Sequence, residues 1–261
     1  MSKTLVIAEP GCTHQGDLST MLRLIDTAAE CGADVFKNQW TSDAELMAKR
    51  RNAADYLPYY RWLQYPVEWH ATCAERCKSR GLEYACSIYL PGDAAIVAPY
   101  VSILKISAFE QDDRELSKAA RATKKRVLCS NGGDERKSPR WMEWLHCVSA
   151  YPAPLESMNL SVLRKLDGRE YEEYEMYSGL SDHSRHVLTG AVAVGAGASI
   201  IEAHFRLEDT DPKNPDYRVA FNPREFSEYI RNIRTAETLM GSGEKKIQDC
   251  EREMLRYRVT A

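Results

Sequence analysis

No stretch of this chain approaches the roughly 18 consecutive apolar residues of a membrane span. Charge of one sign is not in surplus either: the formal net charge is −3, which argues against a general nucleic-acid or membrane-surface binder. Low-complexity tracts and internal repeats are absent, and no break in composition marks a linker between domains. The eight cysteines (12, 31, 73, 77, 86, 129, 147 and 250) include no CxxC pair. Cys73 and Cys77 share one helical face at i, i+4, the wrong geometry for a disulfide within a helix. Reduced thiols that serve as small core residues are therefore expected. At the N-terminus, Met1 to Lys3 are followed by one short apolar strand and then Glu9, too short for the apolar core of a secretory leader. A cytoplasmic protein is the expectation.

Strand and helix signals alternate over the 261 residues, with 44% hydrophobic residues to build a core and 28% charged residues to solvate it. β-Rich runs predict strands at 4–9, 34–39, 83–87, 102–107, 126–130, 145–149, 173–178 and 199–204. Helical patterns lie between them. The first is capped by Asp17, with Met21, Leu24, Ile25 and Ala28 on its apolar face; the others are 66–80, 93–98, 113–123, a weak 139–144, 160–166, 186–195 and 223–240. A long aromatic-rich connection, 41–65, follows the second strand. Eight strand–helix units predict an α/β protein, a single-domain (β/α)8 TIM barrel over 1–243 with a linker-like tail at 244–261. An open doubly wound sheet is the competing architecture, because periodicity does not reveal closure.

In a parallel barrel every strand empties into one rim. The stretch 179–216, GLSDHSRHVLTGAVAVGAGASIIEAHFRLEDTDPKNPD, carries Asp182 with His183, Glu202 with His204, and then Asp216. Two histidines at consecutive strand ends, with a helix between, read as a βαβ crossover. Neighbouring strands are about 4.8 Å apart, so both imidazoles can reach one metal ion at about 2.1 Å. Around the same rim, predicted strand ends add Glu9 and His14, Lys37 and Gln39, Lys105 and Glu110, Ser130, Tyr151 and Ser181. Lysines on two core strands are not solvated surface residues. With serine hydroxyls and a metal pair beside them, they suit a small phosphorylated anion.

These segments resemble, in order, those of the sialic acid synthase (N-acetylneuraminate synthase) family. IAEPGCTHQGDLSTMLRLIDTAAECGADVFKNQ is similar to its first two βα units. LKISAFE, LCSNGG, LHCVSAYPAP, GLSDHS, IIEAHF, the segment through Asn214-Pro215-Asp216, and FNPREF are similar to later ones. The resemblance runs from Leu5 to about Lys246. It implies an enzyme, a transferase that condenses phosphoenolpyruvate with a sugar aldehyde: the enol carbon attacks the aldehyde, water adds to the neighbouring carbon, and phosphate leaves by C–O cleavage. His183 and His204 would bind a divalent metal, usually manganese, with magnesium, cobalt or zinc as alternatives. Lys37, Lys105, Ser130 and Ser181 would hold phosphoenolpyruvate. Gln39, Tyr151 and Asp216 would line the reacting centre and acceptor site, with Glu9, Glu110 and Asp182 as catalytic candidates. The metal would polarise the aldehyde, and Glu9 would orient or deprotonate water. Small molecules are the expected partners, not nucleic acid or membrane, with a homodimer left open.

The chain departs from the family pattern at several points. Ser107-Ala108-Phe109 stands for a Gly-Ser-Gly turn, Asn131 for a Thr, Val148-Ser149 for Thr-Asn, and Ala85-Cys86-Ser87 for Ser-Thr-Pro. It also ends at Ala261, where the family continues into an antifreeze-like domain that reaches a partner's acceptor site. An acceptor other than N-acetylmannosamine is therefore expected, held by connection 41–65, whose Arg50, Arg51 and Arg61 lie among aromatics, together with Asp182 and Asp216. Arg256 and Arg258 of the tail are the other candidates. Plainer readings stand beside these. The histidines can be core residues, Lys37 and Lys105 can form structural ion pairs with Glu9 and Glu110, and Cys12 and His14 can pack a loop. Glu202 can support the ligands rather than join them, and the aromatics of 56–69 can pack helices. Two other functions also fit such a chain: a metal-dependent aldolase or lyase that does not use phosphoenolpyruvate, and a non-catalytic ligand-binding barrel, against which buried charge argues.

Overall fold

The computed structural model describes residues 3–134, 141–164 and 177–259. Its sheet is closed: β1 (Leu5–Glu9), β2 (Val35–Trp40), β3 (Glu83–Ile88), β4 (Ile103–Ile106), β5 (Arg126–Asn131), β6 (Glu143–Cys147), β7 (Gly179–Asp182) and β8 (Ile200–His204) follow one another around a barrel. All neighbours are parallel, and β1 closes on β8 with Glu9 opposite His204. The open-sheet alternative is thereby excluded. The helices of the outer layer are α1 (Leu18–Cys31), α4 (Trp69–Ser79), α5 (Pro91–Val97), α6 (Arg114–Ala122), α7 (Thr189–Gly195) and α8 (Pro223–Met240), while α2 (Ala44–Arg50) and α3 (Leu57–Leu63) stand outside the strand–helix alternation.

Local chemistry accounts for the helix ends. Asp17 accepts from the Thr20 amide to start α1, and Gly32, at φ 92°, ends it in the left-handed conformation that costs glycine least. Asn222 and Glu225 form a reciprocal capping box at the start of α8. α4 and α7 each begin three residues later than predicted, at Trp69 and Thr189.

Four expectations require correction. Connection 41–65 is not an irregular loop but a helical insert, with α2 capped by Asp43 and α3 joined to it through a 3-10 turn at Ala54–Tyr56. The sixth strand starts at Glu143 rather than 145, so the 139–144 helix does not form over 143–144; 139–140 lie outside the described residues. Glu143 is drawn into the sheet by a two-pronged ion pair with Arg126 on β5, at 2.5 and 2.9 Å. The seventh strand is Gly179–Asp182, whereas 177–178 are not strand and 173–176 lie outside the described residues. GLSD has poor strand propensity, and tertiary pairing overrides it. At Gly179 a Cβ would meet the Ile200 carbonyl oxygen at 1.9 Å, so only glycine lets β7 lie this close to β8. Of the 160–166 helix, Leu160–Leu163 forms a 3-10 turn and 165–166 lie outside the described residues.

Alternation along the strands sorts the core into two compartments. Val6, Ala8, Phe36, Leu104, Ile106, Leu180, Ile201 and Ala203 face outward into the helical layer. Ile7, Val35, Ala85, Ile103, Leu128, Leu145 and Ile200 face inward and plug the barrel. Two residues further along each strand the inward position changes from apolar to polar, and that layer builds the site. The eight cysteines are free, and all but Cys250 are buried. Among the described residues no helix is long and apolar enough to cross a membrane.

Candidate active site

Directly above the apolar plug, the next inward positions are Glu9, Lys37, Ser87, Lys105, Ser130, Cys147, Ser181 and Glu202, one from each strand, and all line one cavity of about 700 Å³. Gln39, His183 and His204 line the level above. Lys37 Nζ donates to Ser87 Oγ at 2.7 Å, lies 3.6 Å from Glu202 and pairs with Glu9. Lys105 Nζ donates to Ser130 Oγ at 2.7 Å and lies 3.6 Å from the other oxygen of Glu202. Glu202 thus bridges the two ammonium groups and accepts from Ser181 at 2.8 Å. The Lys37–Glu9 ion pair is formed; the Lys105–Glu110 pair is not, because Lys105 turns to Glu202.

The electrostatics follow from burial and pairing. Burial pulls Lys37 down, opposed by Glu202, to about 8. Burial alone would raise Glu202, but Lys105, Lys37 and the Ser181 hydroxyl together hold it down at about 2. Both imidazoles are held neutral. Burial and then the neighbouring His204 depress His183 to about 3, and burial lowers His204 against the pull of Asp216.

The two histidine rings are 5.4 Å apart between centroids, and the Tyr151 ring lies 4.2 Å from that of His183, tilted by 35°. His183 Nδ1 donates to the Val148 carbonyl at 2.9 Å, which leaves the Nε2 lone pair available. His204 Nδ1 is buried without a hydrogen bond, 3.8 Å from Asp216 Oδ1. Neutral imidazoles, that of His183 with its tautomer fixed by the Val148 carbonyl, fit a divalent metal. They supply two nitrogens only: among the described residues no three His, Cys, Asp or Glu side chains form a coordinating group.

Most of the candidates from the sequence converge. Glu9, Lys37, Gln39, Lys105, Glu110, Ser130, Tyr151, Ser181, His183, His204 and Asp216 all line the cavity. Asp182 does not. Its carboxylate points outward, accepting from Tyr229 Oη of α8 at 2.7 Å and from the Ser184 amide at 2.8 Å. Ser181 and His183 face inward, so the residue between them must face the helices. Asp182 holds the turn that follows β7 and is not a catalytic candidate. His14 is fully buried against Tyr65 and outside the cavity, the loop-packing alternative, whereas Cys12 lines the cavity. Ala108 lines the cavity, while Asn131 and Ser149 do not.

Sequence reasoning missed Ser87 and Cys147, whose inward parity with Lys37 and Lys105 would have shown them. It also did not single out Tyr89 and Phe109, which enclose Arg51. That side chain, from the insert, grips Glu110 with Nε and Nη2 at 2.6 and 2.7 Å. Arg50 pairs with Asp113, the N-cap of α6. Arg61 instead meets Glu45 on the surface, and Arg256 packs on Tyr257 within the exposed tail.

Fold and cavity together define a TIM-barrel protein of the enzyme type, with a buried polar site at the carboxyl ends of its strands. The sequence matches the NeuB family over residues 24–245, and the chain belongs to that family. It is 29% identical to the N,N'-diacetyllegionaminic acid synthase of Legionella pneumophila, over 98% of this chain and 79% of that one. It is 28% identical to the pseudaminic acid synthase of Campylobacter jejuni, over 99% of this chain and 80% of that one. Among solved structures it resembles the N-acetylneuraminic acid synthetase of Leptospira borgpetersenii, with a TM-score of 0.84 and 25% identity over 98% of this chain and 92% of that one.

Proposed function

We propose that this protein is a metal-dependent synthase that joins phosphoenolpyruvate to the aldehyde carbon of a sugar and releases inorganic phosphate. The observation that carries the reading is the polar layer itself. Lys37 and Lys105, with Ser87, Ser130 and Ser181, surround the floor of the cavity beneath two neutral imidazoles. A phosphate there would take ammonium charge from two sides and directional hydrogen bonds from hydroxyls. His183 and His204 would hold a divalent ion, manganese in the first instance, which when bound supplies Lewis-acid polarisation of the aldehyde carbonyl.

The chain's own residues do the rest. The lysines and serines orient the enol so that its terminal carbon faces the aldehyde, and a new C–C bond forms. Glu9, fixed by the Gly11 amide at 2.7 Å and Gln39 at 3.2 Å, takes a proton from the water that adds to the neighbouring carbon. Phosphate departs with the bridging oxygen, its charge held by Lys37 and Lys105. Tyr151 and Asp216 flank the aldehyde, and the 41–65 insert grips the remainder of an acceptor other than N-acetylmannosamine.

The test is phosphate release from phosphoenolpyruvate and a panel of aldoses with manganese in ¹⁸O-water. Unlabelled phosphate and a labelled sugar acid are expected. Label in the phosphate, or no release with any aldose, overturns the reading and leaves the aldolase alternative. Efficient turnover of N-acetylmannosamine overturns the altered acceptor alone.

A further inference from the structure

Several arginines of this fold use one edge of the guanidinium in the same way. Arg51 meets Glu110 through Nε and Nη2, Arg76 meets Asp26 through the same two nitrogens, and Arg126 does so with Glu143. That edge carries two parallel N–H bonds, which match the paired oxygens of a carboxylate or phosphate. Arg206 departs from the pattern. It is the one buried arginine among the described residues, 4% exposed. Yet its Nε is buried without a partner, and no acceptor among the described residues meets Nη2. Nη2, unbonded but not sealed from solvent, marks the opening to that edge. The Leu207 carbonyl accepts from Nη1 at 3.0 Å, and Cζ lies 4.0 Å from the centroid of the Tyr217 ring. One carbonyl and one ring face offset only part of the cost of a buried charge.

Acid is not scarce nearby. Segment 207–217 carries Glu208, Asp209, Asp211 and Asp216, and none of them pairs with Arg206. Asp209 meets Arg23, Asp211 accepts from the Lys213 amide, and Asp216 accepts from the Cys12 amide. Nor does Arg206 line the large cavity, although His204 and Asp216 do. Beyond β8 the chain bends toward Phe221, whose carbonyl accepts from the Arg206 amide at 2.9 Å. The two residues that the guanidinium touches, Leu207 and Tyr217, stand at the two ends of segment 207–217.

We propose that the Nε–Nη2 edge of Arg206 binds a small oxyanion, the carboxylate or phosphate group of a metabolite, at a site separate from the lysine floor. The anion supplies the counter-charge that the chain omits and accepts both parallel N–H bonds, while Tyr217 keeps the guanidinium face. Occupancy braces both ends of the segment that delivers Asn214 and Asp216 to Cys12. The site does not depend on the synthase reading, since it needs neither phosphoenolpyruvate nor a metal.

The experiment uses inorganic phosphate and malonate as probes in chloride buffer at constant ionic strength. Thermal melts and calorimetric titrations compare the parent with Arg206→Met and Arg206→Lys. All three keep Lys37 and Lys105, so a difference between them belongs to Arg206. Without oxyanion, Arg206→Met is expected to melt no lower than the parent, because it removes an uncompensated buried charge and keeps an apolar stem. About 10 mM of the tighter probe is expected to raise the melting temperature of the parent by at least about 3 °C more than that of Arg206→Met. Which probe binds tighter identifies the group. Arg206→Lys keeps the charge without the fork, binds that probe roughly tenfold more weakly, and serves as the second variant if Arg206→Met does not fold. Crystals soaked with selenate are expected to place selenium within hydrogen-bonding reach of Nε and Nη2. Equal stabilisation of parent and Arg206→Met, an affinity that Arg206→Lys leaves unchanged, or selenium bound in the crystal without a difference in solution overturns the proposal. So does an Arg206→Met protein that melts below the parent by the same margin with and without oxyanion, which makes Arg206 a packing residue.

Discussion

Replacing Glu202 by Gln keeps the shape of the side chain and removes the one carboxylate that touches both cavity lysines. Glu202 is buried, 3.6 Å from Lys37 and 3.6 Å from Lys105. Lys37 retains Glu9 in the variant. Lys105 retains only Ser130 and the Ile106 carbonyl among its described partners, so its charge is left buried without a counter-ion. Removing one partner of a buried pair costs about 3–5 kcal/mol, which in a domain of this size lowers the melting temperature by on the order of 10 °C. An anion that binds between the lysines takes over the lost charge. Millimolar phosphoenolpyruvate is therefore expected to raise the melting temperature of Glu202→Gln more than that of the parent. In the parent, the depressed carboxyl contributes stability above its ordinary value of 4.5, and that stability is lost as pH falls toward about 2. A scanning-calorimetry series with and without phosphoenolpyruvate reads all three effects. A variant as stable as the parent, or one stabilised no more than the parent by the anion, refutes the account of the floor as paired charge held ready for an anion.

Three further outcomes are expected. His183→Ala and His204→Ala each lose manganese affinity by roughly a hundredfold or more, because each removes one of only two nitrogen donors; calorimetric titration as tight as the parent's removes the metal reading. Tyr229→Phe takes the hydroxyl from Asp182 and costs about 1.5–3 kcal/mol in urea unfolding, with the KM for phosphoenolpyruvate unchanged; a changed KM at unchanged stability would return Asp182 to the reacting centre. Burial depresses His14 and His70 each to about 4, so the stability they contribute is full above the ordinary histidine value and lost as pH falls below it. Between pH 7 and pH 5 each is expected to cost about 1–2 kcal/mol, and equal urea midpoints at the two pH values would contradict this.

Much of the site was legible because strand alternation is a local property. A lysine at the second-last inward position of β2 and another in β4, serines in β5 and β7 and histidines near two strand ends can be read as one ring once a parallel barrel is assumed. Asp17 and Pro223 mark helix starts through local hydrogen bonding and backbone geometry, which do not depend on the rest of the chain. The boundary of β7 was not legible. GLSD looks like a turn, and only contact with Ile200 makes its glycine an asset. A shift of a few residues in that boundary decided that Asp182 belongs to the helical layer and not to the cavity. Arg51 and Glu110 are 59 residues apart, on an insert and a loop that nothing local brings together. Their pairing depends on where α2 leaves the barrel rim, a matter of packing. The sequence by itself determined which residues alternate and which segments form strands and helices, because those preferences reside in neighbouring residues. Which face of each strand became the inside, which carboxylate each cation met, and which side chains came to share one cavity were decided only when the eight strands closed, because closure fixes register between residues that have no other means of contact.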